Sequence, residues 1–167
     1  KNNIEYTILK DINVNQNYFD NIDTEYKAYF LGYIVADGNI SKTTNRICFC
    51  INSDDDYILN ELKKDINSKN LIRRRKVYDK RTNKSYNSST FQINGQTLKS
   101  GLLKYGINSN KSNNFLFPDL IPPKMFKHFL RGMFDGDGHI SKNRTLVSLI
   151  STKEFLNSLN SMFFYNN

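Results

Sequence analysis

The chain has only two cysteines and two histidines, and no apolar run long enough to cross a membrane. A spanning helix takes roughly 18 or more consecutive apolar residues. The basic, polar start also lacks the apolar stretch of a secretory signal. Cys48 and Cys50 lie two apart; on one strand such positions point the same way, a poor geometry for a mutual disulfide. An intracellular, cytoplasmic setting is therefore expected. Cys48, Cys50, His128 and His139 lack the spacing of a zinc finger, so no structural zinc is expected. Acids are in deficit as well: 16 Asp and Glu stand against 24 Lys and Arg, and the formal net charge is +8. That balance favours a polyanionic partner, nucleic acid before an acidic membrane surface.

What the chain does have is a stretch that occurs twice. Residues 29–42 read YFLGYIVADGNISK and residues 129–142 read FLRGMFDGDGHISK. Gly32 answers Gly132, Asp37-Gly38 answers Asp137-Gly138, and Ile40-Ser41-Lys42 answers Ile140-Ser141-Lys142. Two copies of one unit follow, related by a pseudo-two-fold axis. Each copy is an apolar helix with small residues four apart, Gly32 and Ala36 in the first, Gly132 and Gly136 in the second. Positions i and i+4 share a helix face. Two such faces can pack closer than the usual interaxial distance of roughly 8–10 Å. The C-terminal ends then meet, bringing Asp37 and Asp137 together, each before a glycine suited to a left-handed cap. An acid at the negative end of a helix is unfavourable, and two together resist joint ionisation. A compensating charge is expected, a divalent metal foremost.

FLGYIVADG and LRGMFDGDG both resemble the LAGLIDADG motif of homing endonucleases, here in the two-motif, single-chain form. The first departs from the motif at Val35; the second keeps both acids, Asp135 and Asp137. The run from Tyr18 to Glu25 looks like phage and bacterial members. The resemblance implies a metal-dependent, site-specific double-strand DNA endonuclease of the homing type. It implies Mg2+, with Mn2+ as a substitute, held by Asp37 and Asp137 with the backbone carbonyls of Ala36 and Gly136. It also implies a long pseudo-palindromic duplex as partner. Lys111 resembles the basic residue that family members place near the scissile phosphate; a plain surface lysine is the alternative. Related folds also serve as intron RNA maturases and transcription regulators that do not cleave, and this is the second reading.

The expected fold is α+β: two pseudo-symmetric αββαββα halves, packed through the motif helices, with antiparallel saddle sheets and an incomplete second half. Residues 1–22, polar and Asn-rich, read as an N-terminal tail or linker; 23–120 is the first repeat and 121–167 the second. In the first, a helix over 24–36 leads to strands near 39–42 and 46–52, where Ile47, Phe49 and Ile51 alternate with Arg46, Cys48, Cys50 and Asn52. A helix to Ile66 and a second hairpin over 70–94 follow, with a polar loop over 79–89, then a helix near 96–105. The second repeat reads helix, short hairpin, helix, and its own second hairpin has no counterpart in the sequence. A monomer is expected, with a dimer the alternative because of that incompleteness.

The basic segment Lys69, Arg73, Arg74, Arg75, Lys76, Lys80, Arg81 and Lys84 lies on the second hairpin, and a two-stranded ribbon fits the DNA major groove. Both parities of the incoming strand carry arginines, so either face qualifies. Lys42, Arg46, Lys142 and Arg144 are further candidates on the hairpins beside the acids. Asp135 is read as a polar helix-end residue because its counterpart is Val35, and His139, opposite Asn39, is given no role. Tyr29, Phe30, Tyr33, Phe126, Phe129 and Phe134 are read as core.

Overall fold

The computed structural model describes residues 13–165. Its centre is the pair of motif helices. Helix α1 (Glu25–Asp37) opens at Thr24, whose side chain accepts from the Lys27 amide, and Glu25 stands in the first turn, where the helix dipole favours an acid. Every residue from Ala28 to Val35 is buried, so α1 has no polar face; it is enclosed on all sides. Helix α5 (Pro123–Asp137) begins on a proline, whose missing N–H costs nothing at that position. It buries Met125, Phe126, His128, Phe129, Gly132 and Met133.

The two helices touch backbone to backbone, as the small-residue stripes predict. A Cβ placed on Gly32 would stand 2.0 Å from the Phe129 carbonyl oxygen, and one on Gly132 would stand 1.9 Å from that of Tyr29. One turn on, a Cβ on Gly136 would stand 2.4 Å from the Cβ of Ala36. The expected left-handed caps are corrected. Gly38 and Gly138 have φ of −73° and −81° and lead directly into strands. Glycine is needed there for room, since a Cβ would lie 2.7 Å from the Ile34 oxygen and 2.4 Å from the Phe134 oxygen.

Strands β1 (Gly38–Ile40), β2 (Arg46–Asn52), β3 (Arg73–Asp79) and β4 (Lys84–Asn94) form an antiparallel sheet in the order β1-β2-β4-β3. The alternation read from 46–52 sorts its two faces. Ile47, Phe49 and Ile51 pair with Ile93, Phe91 and Ser89 on the buried side. They share one core with Ile58, Leu59 and Leu62 of α2 (Asp56–Asp65) and Leu98 and Leu102 of α3 (Gln96–Lys104). The loop expected over 79–89 shrinks to 80–83, because Asp79 closes a tight turn by accepting from the Arg81 amide and the Thr82 hydroxyl. Asn83 takes the positive φ of 55° that the turn requires.

Of the segment read as a tail, residues 1–12, with Ile4, Ile8, Leu9 and Ile12, lie outside the described residues. From 13 on it belongs to the core: Val14, Tyr18, Phe19 and Ile22 are all buried, and Gly101 of α3 lets the Phe19 backbone approach closely. The connector after α3 turns at Gly106, where φ is +75°, and carries a short helix α4 (Lys111–Asn114).

In the second unit α5 runs into strands β5 (Gly138–Ile140) and β6 (Val147–Leu149), a two-stranded antiparallel sheet, and then helix α6 (Lys153–Tyr165). Thr152 caps α6 at the Phe155 amide, and Phe155 joins a ring cluster with Phe115, Phe117 and Phe129. Equivalent positions differ sharply between the units. Ile40 and Ile47 are 4% and 0% exposed, whereas Ile140 and Val147 are 63% and 57% exposed. Among the described residues, no further strands or helix flank the second sheet as β3, β4 and α3 flank the first. The fold is α+β with antiparallel sheets.

Candidate acidic centre and nucleic-acid interface

The parallel ends of α1 and α5 bring the two motif acids to one place. Asp37 is half-buried; its carboxylate lies against Gly136, whose missing side chain would otherwise come within 3.3 Å of Asp37 Oδ2. Asp137, at the more open end of α5, is the more exposed of the two. Burial raises the Asp37 carboxyl above the usual carboxylate range; Tyr33 hydrogen-bonds to it and opposes the shift, the Asp137 charge adds to it, and Lys111 pulls it back. Asp137 is also raised, by partial burial against the pull of Lys111. Both carboxylates are thus costly to ionise where they stand, the condition a bound cation relieves.

Lys111 is neither on the surface nor aimed outward. It is 7% exposed, and its Nζ donates to the carbonyls of Val35 and, at 3.2 Å, Ala36. Those are last-turn carbonyls of α1, which have no partner within the helix. Burial lowers the ammonium's pKa, and the charges of Asp137 and Asp37 oppose that. The connector helix α4 exists to deliver this side chain: it places Lys111 at its first residue, facing the end of α1.

Among the described residues, no three His, Cys, Asp or Glu side chains gather as a metal site. Asp37 and Asp137 with the carbonyls of Ala36 and Gly136 form a small all-oxygen set. That donor chemistry fits Mg2+, which keeps several waters and takes one or two carboxylates plus phosphate oxygens. It does not suit zinc, which prefers nitrogen and sulfur.

Two tyrosines read only as core also reach the acids. Tyr33 is 2% exposed, with its ring stacked on Phe49 and its hydroxyl on Asp37. Tyr29 donates to Asp135 Oδ2 at 2.7 Å across the helix pair, and Arg131 lies over its ring. Asp135 therefore has a partner on the other helix. The signal was present: Tyr29, Tyr33 and Asp37 are spaced by four and share one helix face.

The exposed side of the first sheet settles the parity of the arginines. Residues directly opposite on paired strands share a face. Arg73 pairs with Thr90 and Arg75 with Ser88, while Thr90 pairs with Cys50 and Gln92 with Cys48. Arg46, Arg73, Arg75 and Lys84 thus share the outer face with Asn39, Tyr86 and Gln92. Arg74 is on the opposite face, paired with Ser89; its Nε donates to Asp56 Oδ2 at 2.6 Å, and the Ser89 hydroxyl donates to the same oxygen at 2.9 Å. Arg74 is thus held by its own fold and is set apart from the outer-face set. Lys76 is on the Arg74 face but exposed. Lys80 and Arg81 sit in the turn at the ribbon tip, and Lys42 in the turn after β1; all three are exposed. Lys142 and Arg144 occupy the exposed turn of the second hairpin, with Arg144 at φ 57°. His139 is exposed at the start of that hairpin.

Comparison with known proteins bears on the fold. Residues 127–163 match the family described as LAGLIDADG-like domain. The homing endonuclease I-WcaI, solved bound to its DNA recognition sequence, superposes with a TM-score of 0.62 at 13% identity, over 86% of this chain and 69% of that one. Full-length DUF199/WhiA from Thermatoga maritima gives 0.48 at 19% identity, over 86% of this chain and 45% of that one. Among curated sequences, a probable translation initiation factor IF-2 of Methanocaldococcus jannaschii is 28% identical along 147 residues. That match covers 81% of this chain and spans 11% of the longer protein. No helix among the described residues is long and apolar enough to cross a membrane. The second motif unit thus matches the LAGLIDADG-like domain, the motif stands in two copies on helices in backbone contact, and the chain has the fold of a LAGLIDADG homing endonuclease.

Proposed function

We propose that the chain is a site-specific double-strand DNA endonuclease of the homing type, dependent on Mg2+ or Mn2+. One observation carries this reading: the motif helices bring Asp37 and Asp137 together at the end of a sheet whose open face carries Arg46, Arg73, Arg75 and Lys84. A basic ribbon that tracks a groove would hold the duplex, phosphate contacts fixing position and base edges fixing sequence. The ends of α1 and α5 would then lie against the backbone. Asp37 and Asp137, with the carbonyls of Ala36 and Gly136, would hold the ion. When bound, a divalent ion supplies charge for the leaving and attacking oxygens of a phosphodiester. Tyr33 keeps Asp37 oriented by its hydrogen bond, and the packed α1–α5 seam excludes water from one side of the centre. Lys42, Lys76, Lys80, Arg81, Lys142 and Arg144 extend the positive surface along a long, pseudo-palindromic duplex.

The second reading is a LAGLIDADG-fold binder of nucleic acid that does not cleave, such as a maturase or a regulator. A specific observation favours it: the Lys111 ammonium already sits on the Ala36 carbonyl, one of the oxygens an ion would use. The two readings part in one experiment. A randomised duplex library is selected for binding in Ca2+, and the selected pool is incubated with Mg2+. The endonuclease reading predicts scission at one position that Asp37→Asn abolishes while binding persists. Binding without scission in the wild type would refute it in favour of the binder.

A further inference from the structure

We infer that Lys111 is a built-in cation that holds the acidic centre closed when no metal is bound, and that a divalent ion must displace it. This rests on the reading of Asp37 and Asp137 as cation-holding groups. The chain faces a physical problem at this point: two carboxylates at the negative ends of two helices, packed so closely that neither can move away. Without a positive charge the centre would be at its least stable in metal-free solution. Lys111 meets the need from within. Its ammonium is buried, donates to the Val35 and Ala36 carbonyls, and lies near both acids. It therefore occupies one of the oxygens that a bound ion would use, the Ala36 carbonyl, and carries charge of the same sign.

Among the described residues, no side chain is bonded to the last-turn carbonyls of α5 as Lys111 is to those of α1. Lys111 reaches α1 from the connector that follows the complete first repeat. Asp137, at the end of α5, is the more exposed acid. The centre is therefore closed on the Ala36 side and open on the Gly136 side. Two cations competing for one oxygen set are coupled, typically by roughly 5–150-fold in affinity.

The test is Ca2+ or Tb3+ titration of the whole chain without DNA, read by calorimetry or Tb3+ luminescence, for wild type, Lys111→Met, Lys111→Arg and Asp37→Asn. Met keeps the volume and removes the charge. The inference predicts that Lys111→Met binds the ion at least about tenfold more tightly than wild type, that Lys111→Arg does not, and that the rise in melting temperature from EDTA to Ca2+ is larger for Lys111→Met than for wild type. Equal affinity of Lys111→Met and wild type, with Asp37→Asn binding nothing, would overturn the inference and leave the acidic site standing. Affinities untouched by Asp37→Asn would instead overturn the site itself. If Lys111→Met unfolds in EDTA, the titration is read as refolding, and no recovery at millimolar Ca2+ overturns the proposal. A wild type that loses its fold in EDTA overturns it without any variant.

Discussion

Gly132→Ala is the sharpest test of how the two units are joined. The added methyl would start 1.9 Å from the Tyr29 carbonyl oxygen and 2.8 Å from the Tyr33 amide nitrogen, both backbone atoms of the facing helix. Ordinary contact begins at 3.4 Å, so α1 and α5 must separate by about 1.5 Å at this point. A gap of 0.5–1 Å already forfeits about a quarter to a half of the attraction between packed atoms. Overpacking of this kind costs about 1–3 kcal/mol, and a rigid backbone obstacle places it at the upper end. The better helix propensity of alanine returns about 1 kcal/mol. The net loss of about 2 kcal/mol lowers the melting temperature by about 4–8 °C in a protein of this size. Thermal unfolding followed by circular dichroism reads it directly. Helix propensity alone predicts the opposite sign, so an unchanged or raised melting temperature would refute backbone contact between the motif helices.

Three other outcomes follow from the same geometry. In EDTA the raised carboxyls of Asp37 and Asp137 are a cost of folding once the pH exceeds the ordinary value of 3.8, because the unfolded chain then ionises them more readily. Asp37→Asn should therefore melt higher than wild type near pH 7, and the gain should shrink as the pH falls toward 4; a loss of stability at pH 7 would contradict this. Arg73→Ala and Arg75→Ala should each weaken duplex binding and reduce the dependence of log K on log salt by about one unit per lost phosphate contact. Arg74→Ala should instead lower the melting temperature with a smaller effect on affinity, since its guanidinium is bound to Asp56; the reverse ordering would show that the outer and inner faces have been assigned wrongly. A double-mutant cycle on Tyr29→Phe and Asp135→Ala should return a coupling of about 1 kcal/mol, as for a hydrogen bond to a charged group near the surface, and zero would deny the cross-helix bond.

The motif helices and their contact were legible because two constraints coincide in the sequence: small residues spaced by four, and the same spacing repeated in the second copy. Strand β2 was legible to the residue because its strict alternation has one face buried. The ribbon was less so. Which arginines face outward depends on the register between β3 and β4, and that register follows from the length of the turn at 80–83, fixed by hydrogen bonds of Asp79 that composition does not reveal. The segment 1–22 looked like a tail because its apolar residues are sparse; Val14 and Phe19 are buried, and Gly101 of α3 leaves room for the Phe19 backbone. Lys111 could not be placed from sequence. Its neighbours are polar on both sides, and only the fold of the connector turns its side chain into the core. Asp135 lost its bond to Tyr29 in the sequence reading because the two copies were compared position by position. Tyr29 and Asp135 differ from Phe129 and Val35 as a pair, and only helix packing reveals them as partners.

The most direct test of the central claim is single-turnover scission of the selected duplex, with each strand end-labelled separately, in Mg2+ and in EDTA. Wild type, Asp37→Asn and Asp137→Asn are compared at saturating protein. A centre built from the two motif acids predicts scission of both strands by the wild type in Mg2+ only, and loss of scission in each variant with binding retained. Scission that persists in EDTA, or in both variants, would contradict it.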